Sequence, residues 1–140
     1  MALPGKYTVE LSVNGKTQKQ SFSLLRNPVS EASEADMKAQ FDFINEINKK
    51  ITEIHIALKN VKKVNAQIAI LKKSIADKKK HKELIDFANT LVKEMTAIEE
   101  TLYQTKSKSG QDPLNYPIRL NNKLAHINSL TRVGNYRPNQ

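Results

Sequence analysis

The densest concentration of chemistry in the chain is a run of lysines: Lys72, Lys73, Lys78, Lys79, Lys80 and Lys82 stand close together. Ammonium groups at that density attract phosphate, sulfate or carboxylate polymers, so one reading is an arm that grips a polyanion such as nucleic acid or an acidic glycan. The cluster has no Arg for forked phosphate contacts and no aromatic ring on which a base could stack, which makes nucleic acid the poorer fit. The plainer reading is a solubilising surface. The formal net charge of +9 is unevenly spread: from Ile54 to Lys82 nine lysines stand against Asp77 alone, and no acidic residue follows Asp112. Such a local basic region argues for an acidic partner without naming one.

Other reactive residue types do not converge. His55, His81 and His126 lie in three separate segments with no carboxylate or second His at ligand spacing. His55 reads as a helix flank, and His81 sits among lysines that would repel a metal ion. With no Cys there are no disulfides, thiolate ligands or thiol nucleophiles, although this does not fix the compartment. No glycine-rich phosphate loop or nucleophile elbow is present. Glu99 and Glu100, being adjacent, point to different helix faces and read as solvated surface. No catalytic residue, metal or cofactor is therefore expected. The stretch SGQDPLNYPIRLNNKLAHINSL, from Ser109 to Leu130, is more distinctive, crowding Gly110, Gln111, Asp112, Pro113, Leu114, Asn115, Tyr116, Pro117, Arg119, Leu120 and Asn121 together. Its structural account has the prolines shaping a crossover, Tyr116 and Ile118 plugging one end of a bundle, and Asn and Arg side chains tying loop carbonyls.

The elements that must position these residues are mainly helical. Between about Ser33 and Ile75 there is no Gly or Pro, and apolar residues recur from Met37 through Phe41, Ile44, Ile47, Ile51, Ile54, Leu58, Val61, Val64, Ile68 and Leu71 to Ile75 in steps of three or four. That periodicity predicts one long helix with a continuous apolar stripe, capped by Ser30 or Ser33, the latter resembling a capping box with Asp36. A second stripe, Leu84, Ala88, Leu91, Met95, Ile98 and Leu102, follows a strict heptad seam, broadened by Ile85, Phe87 and Val92. One helix through both stripes would leave both exposed, so a reversal near Ile75–Lys80 and an antiparallel helix over about 79–106 are expected. A third helix, about 117–131 with Pro117 at its first position, would cover the proximal part of the first one. The proximal stripe, Met37 to Ile51, is expected to be the less completely covered and to seat a neighbouring chain or a further helix. A frayed tail is expected over 135–140. Residues 1–27 differ in kind: Tyr7, Val9, Leu11 and Val13 alternate with polar residues, and Asn14-Gly15 calls for a type I′ turn. The resulting hairpin would pair Val13 with Lys16, Leu11 with Gln18, Val9 with Gln20 and Tyr7 with Phe22. Either it docks on the helices, or it is the remnant of a larger β-sandwich. The expected division is thus a hairpin over 1–27 and a three-helix bundle with a long antiparallel helical hairpin over 28–140. No apolar run reaches the length of a membrane span.

The string TKSKSGQDPLNYPIRLNNKLAHINSL resembles the extreme C-terminal region of large exported bacterial proteins built on a sortilin-like, Asp-box (BNR) propeller and labelled glycosyl hydrolases by similarity. PGKYTVELSVNGKTQKQSFSLLRNP is similar to the last two strands of the Ig-like sandwich that follows the propeller, and SEADMKAQFDFINEI to the entry of the helical region. The resemblance implies a non-catalytic C-terminal module whose partners are the upstream domains of the same polypeptide. It also implies export to the periplasm, cell surface or medium, although MALPGKYTVEL lacks the basic and apolar regions of a signal peptide. The propeller that would hold any glycosidase site is not in this sequence, and a further helix in the family follows the position of Tyr136. Self-association of the chain is expected, because open strand edges and bare apolar stripes seek partners.

Overall fold

The computed structural model describes residues 2–134 and 136–139. Asn135 and Gln140, the two ends of the expected frayed tail, lie outside the described residues, as does Met1. An antiparallel hairpin, β1 (Gly5–Val13) and β2 (Lys16–Leu24), precedes three helices, α1 (Glu34–Ser74), α2 (Lys82–Leu102) and α3 (Leu120–Thr131). The fold is mainly α, as the periodicity requires. The chain packs into two compact units, Met1–Glu46 with Ser129–Gln140, and Ile47–Asn128.

In the first unit, Asn14 (φ 52°) and Gly15 (φ 76°) both take the left-handed conformation that a type I′ turn demands. The turn fixes the register, and every expected pair is present, from Val13 opposite Lys16 to Tyr7 opposite Phe22. One face is a ladder of satisfied polar pairs. Thr8 and Ser21 hydroxyls meet at 3.0 Å, Ser12 and Thr17 at 2.9 Å, and the Lys19 ammonium lies 2.8 Å from the Glu10 carboxylate. On the other face Tyr7 and Phe22 stack with centroids 5.9 Å apart. That face is bare: Val9 and Leu11 are 57 % and 61 % exposed. Among the described residues no helix therefore covers Val9 and Leu11, although Leu3 and Pro4 at the base of the hairpin lie beside Glu34, Ala35 and Lys38 of α1.

The capping box at the start of α1 is present. The Asp36 amide donates to Ser33 Oγ at 3.1 Å, while the Ser33 amide and hydroxyl donate to Asp36 Oδ2. The Ser33 hydroxyl first, then its amide, hold the Asp36 carboxyl below its ordinary value, since both favour the charged form. One turn on, the Gln40 amide is fully buried and donates through Nε2 to the carbonyls of Thr131 and Gly134, at 2.5 and 2.9 Å. The segment leaving α3 is thus clamped onto proximal α1, and Met37 and Ile44 are buried beside Gln40 in sequence. This overturns the expectation that the proximal stripe is the less covered. The best-exposed stripe residue is instead Leu71, at the far end. Counting apolar residues missed the clamp because its anchor is polar.

In the second unit, α2 runs back along α1. The Lys72 ammonium hydrogen-bonds Asn89 Oδ1 and the Lys62 ammonium lies 3.8 Å from Glu99, a register that makes the pair antiparallel. The inward side of α2 keeps Ala88, Leu91, Met95 and Leu102 of the expected heptad. Leu84 and Ile98 stay exposed, while Ile85, Val92 and Glu99 join the inward side. The stripe is thus broadened toward Ile85, Val92 and Glu99, and the Lys62 ammonium reaches over the Glu99 carboxylate. α2 also begins at Lys82 and ends at Leu102, inside the expected 79–106. At its end the Tyr103 ring meets His55 edge-on at 6.1 Å. Leu102, Leu120 and Leu124 converge with Ile54 and Ala57 around a shallow recess of about 370 Å³, and Asn128 Nδ2 donates to Asn48 Oδ1 at 2.9 Å. Three helices therefore share this core.

Candidate functional site

The reversal between α1 and α2 is built by Asp77. Its Oδ1 accepts the amides of Lys79 and Lys80, each at 3.0 Å, and its carbonyl accepts the His81 amide at 3.3 Å. An Asx-type turn of this kind reverses a chain without Gly or Pro, which is why neither marks the spot. It also throws the lysine side chains outward: Lys73, Lys78, Lys79, Lys80 and Lys82 are exposed, whereas Lys72 is half-buried and committed to Asn89. Among the described residues no carboxylate lies within ion-pair distance of those five exposed ammonium groups. Below the turn, Ala69 and Ile85 floor a recess of about 390 Å³ rimmed by Lys72, Lys73 and Lys78. The arrangement can hold an anionic group against an apolar surface. It brings together the six lysines singled out by sequence. Ile85, inside the recess, was legible only as a broadening of the α2 stripe.

The string from Gly110 to Asn121 forms the connection into α3, and its organiser is Asp112. The Asp112 carboxylate accepts the Lys108 amide, the Ser109 amide at 2.8 Å and the Ser109 hydroxyl at 2.8 Å, and its carbonyl accepts the amides of Asn115 and Tyr116. The backbone N–H of Lys108, then those of Ser109, hold the Asp112 carboxyl below its ordinary range. Asp112–Leu114 is a single 3-10 turn with Pro113 in it. The Pro117 carbonyl accepts the Gln104 side-chain amide at 2.7 Å. Pro117 does not open α3, which starts at Leu120, three residues later. Nor do Tyr116 and Ile118 plug the bundle, since they are 37 % and 43 % exposed. Gln104 thus ties a loop carbonyl, and the Asn122 side chain accepts the Arg119 amide. Leu114 is almost fully exposed, and the buried Asn121 Oδ1 has no partner among the described residues. Gly110, Gln111, Asn115 and Arg119 are exposed residues of the same connection. The string is a loop-building motif.

No family model, curated protein or solved structure matches this chain.

The three histidines remain apart. His55 faces Tyr103, His81 precedes α2, and His126 is exposed on α3. Among the described residues no group of three or more His, Asp or Glu gathers at metal-binding distance. The bare hairpin face is the other candidate surface. Val9, Leu11, Gln18 and Gln20 line a shallow recess on it of about 470 Å³.

Proposed function

We propose that the chain is a non-catalytic protein-interaction module, the C-terminal part of a larger exported, glycosyl-hydrolase-like propeller protein. Its hairpin completes the sheet of an adjoining β domain of the same polypeptide. The observation that carries the reading is the asymmetry of the hairpin. Its polar face satisfies itself through three cross-strand pairs, whereas its apolar face, Val9, Leu11 and Phe22 above all, is left about half exposed. A two-stranded ribbon is marginal in water and gains stability from a further strand or a covering layer. The resemblance to the last strands of an Ig-like sandwich supports the identity of that layer.

Without its partner the same face should drive self-association. Sedimentation velocity is expected to show oligomers that grow with concentration, and Val9→Lys with Leu11→Lys to return the chain to a monomer. A wild-type chain that stays monomeric at high concentration would sink the reading. Its context is tested separately by the reading frame upstream of Met1. An in-frame propeller is expected, and an in-frame stop codon overturns that part.

A further inference from the structure

The basic end of the helical hairpin in the second unit combines two features that neither solubility nor polyanion binding requires together. The first is charge that ion pairs within the chain leave largely unspent, Lys72 being held by Asn89. From Ala69 to Phe87 there are six lysines against Asp77, Glu83 and Asp86, and the Asp77 carboxylate is already spent on the amides of Lys79 and Lys80. The second is exposed apolar bulk at the same end. Phe87 is 69 % exposed and Leu84 45 %, and their i, i+3 spacing sets them on one side of α2, within two turns of the lysine turn. Water penalises such side chains, and a hydrophilic polymer would leave them unused.

We propose that this end docks on a membrane surface containing anionic lipid. The ammonium groups sit among the headgroups, and Phe87 and Leu84 enter the headgroup–acyl boundary. Charge and apolar area add in such binding, and each alone is weak. Lysine suits such a surface. It is a compact, hydrated point charge on a flexible stem, able to follow mobile headgroups, whereas ordered phosphate recognition favours the Arg fork that is missing here. The recess with Ala69 and Ile85 on its floor and Lys72, Lys73 and Lys78 on its rim has room for a headgroup and none for a helix. Because the lysines radiate from a turn, they match a plane of charge better than the groove an acidic peptide would need. No helix among the described residues is long and apolar enough to cross a membrane, so this contact stays at the surface and is reversible.

The test uses the full chain with phosphatidylcholine vesicles with and without phosphatidylserine, read by co-sedimentation. The chain has no Trp, so Phe87→Trp adds a single emission reporter at the proposed boundary. Binding is expected only with phosphatidylserine, with a blue shift of the Trp emission, and should weaken as salt screens the charges. Each lysine should contribute roughly fivefold to the partition coefficient, so reversing Lys78, Lys79, Lys80 and Lys82 to Glu should remove detectable binding. Phe87→Ser should weaken binding while leaving its salt dependence unchanged. Circular dichroism of each variant confirms that these exposed substitutions leave the helices folded. No sedimentation with phosphatidylserine at low salt, equal binding to neutral vesicles, or retention on heparin or RNA with no Trp shift on vesicles would each overturn the proposal.

Discussion

Replacing Gln40 by Glu exchanges a donor for an acceptor at nearly constant volume, at a site only 1 % exposed. In the wild type Nε2 supplies hydrogen bonds to Thr131 O and Gly134 O, while Oε1 has no partner among the described residues. A carboxylate there turns two attractive contacts into repulsive ones and leaves a buried charge unpaired. Losing two net hydrogen bonds costs about 1 kcal/mol each and the stranded charge adds about 1–3 more, so about 3–5 kcal/mol at neutral pH is expected. Burial and the two facing carbonyls raise the folded pKa of the new carboxyl above its unfolded value of about 4.3. Below that value both states are protonated, the acid O–H can donate to one carbonyl, and the penalty is smallest. It grows as pH rises through the folded pKa. Gln40→Leu is the control: it loses the same donors but also removes the unpartnered Oε1, and should cost about 1–2 kcal/mol relative to wild type at any pH. Urea unfolding followed by circular dichroism at about pH 4 and pH 7 separates the two. A Gln40→Glu chain as stable as wild type at pH 7, or a gap between the two variants that does not change with pH, would refute the clamp.

Asp112→Ala should expose the Lys108 and Ser109 amides to fast hydrogen exchange while leaving α1 and α2 protected, because that carboxylate holds only the local turn. In the wild type the Asp112 carboxyl should titrate below its ordinary value of 3.8, so its support is present above that pH and is lost as pH falls through the depressed pKa. Side-chain carbon shifts read this directly. Gly134→Ala should lower stability by about 1–2 kcal/mol, since φ is +75° and a left-handed backbone is costly for a residue with Cβ. The new methyl would also come within 2.5 Å of the Tyr136 ring, and thermal melting reports the sum.

How much of this was legible follows from what kind of signal each element leaves. Asn14-Gly15 sets the hairpin register outright, because so few turns accept two successive left-handed residues. The stripe of α1 and its Ser33–Asp36 cap were equally open to reading. Which members of the α2 heptad stay exposed was not. Leu84 and Ile98 complete the apolar heptad in sequence, but they stay exposed while Glu99 turns inward, its carboxylate facing Lys62. The clamp left one trace that apolar counting discards: Gln40 stands in the seam between Met37 and Ile44, at steps of three and four. The fully buried amide thus sits where the pattern asked for a hydrophobe. The lysine turn was visible as composition, while the recess beneath it depends on the packing of Ile85 against the end of α1.

The Gln40 amide reaches carbonyls 91 and 94 residues further along the chain. Hairpin and antiparallel helix contacts join near neighbours in sequence and form early, whereas closing so long a loop is slow and comes late. Removing the amide should therefore leave the refolding rate almost unchanged and speed unfolding, so that nearly all of the lost stability appears in the unfolding limb of a stopped-flow chevron. Gln40 would then govern how long the folded chain persists, and hardly at all how quickly it arrives.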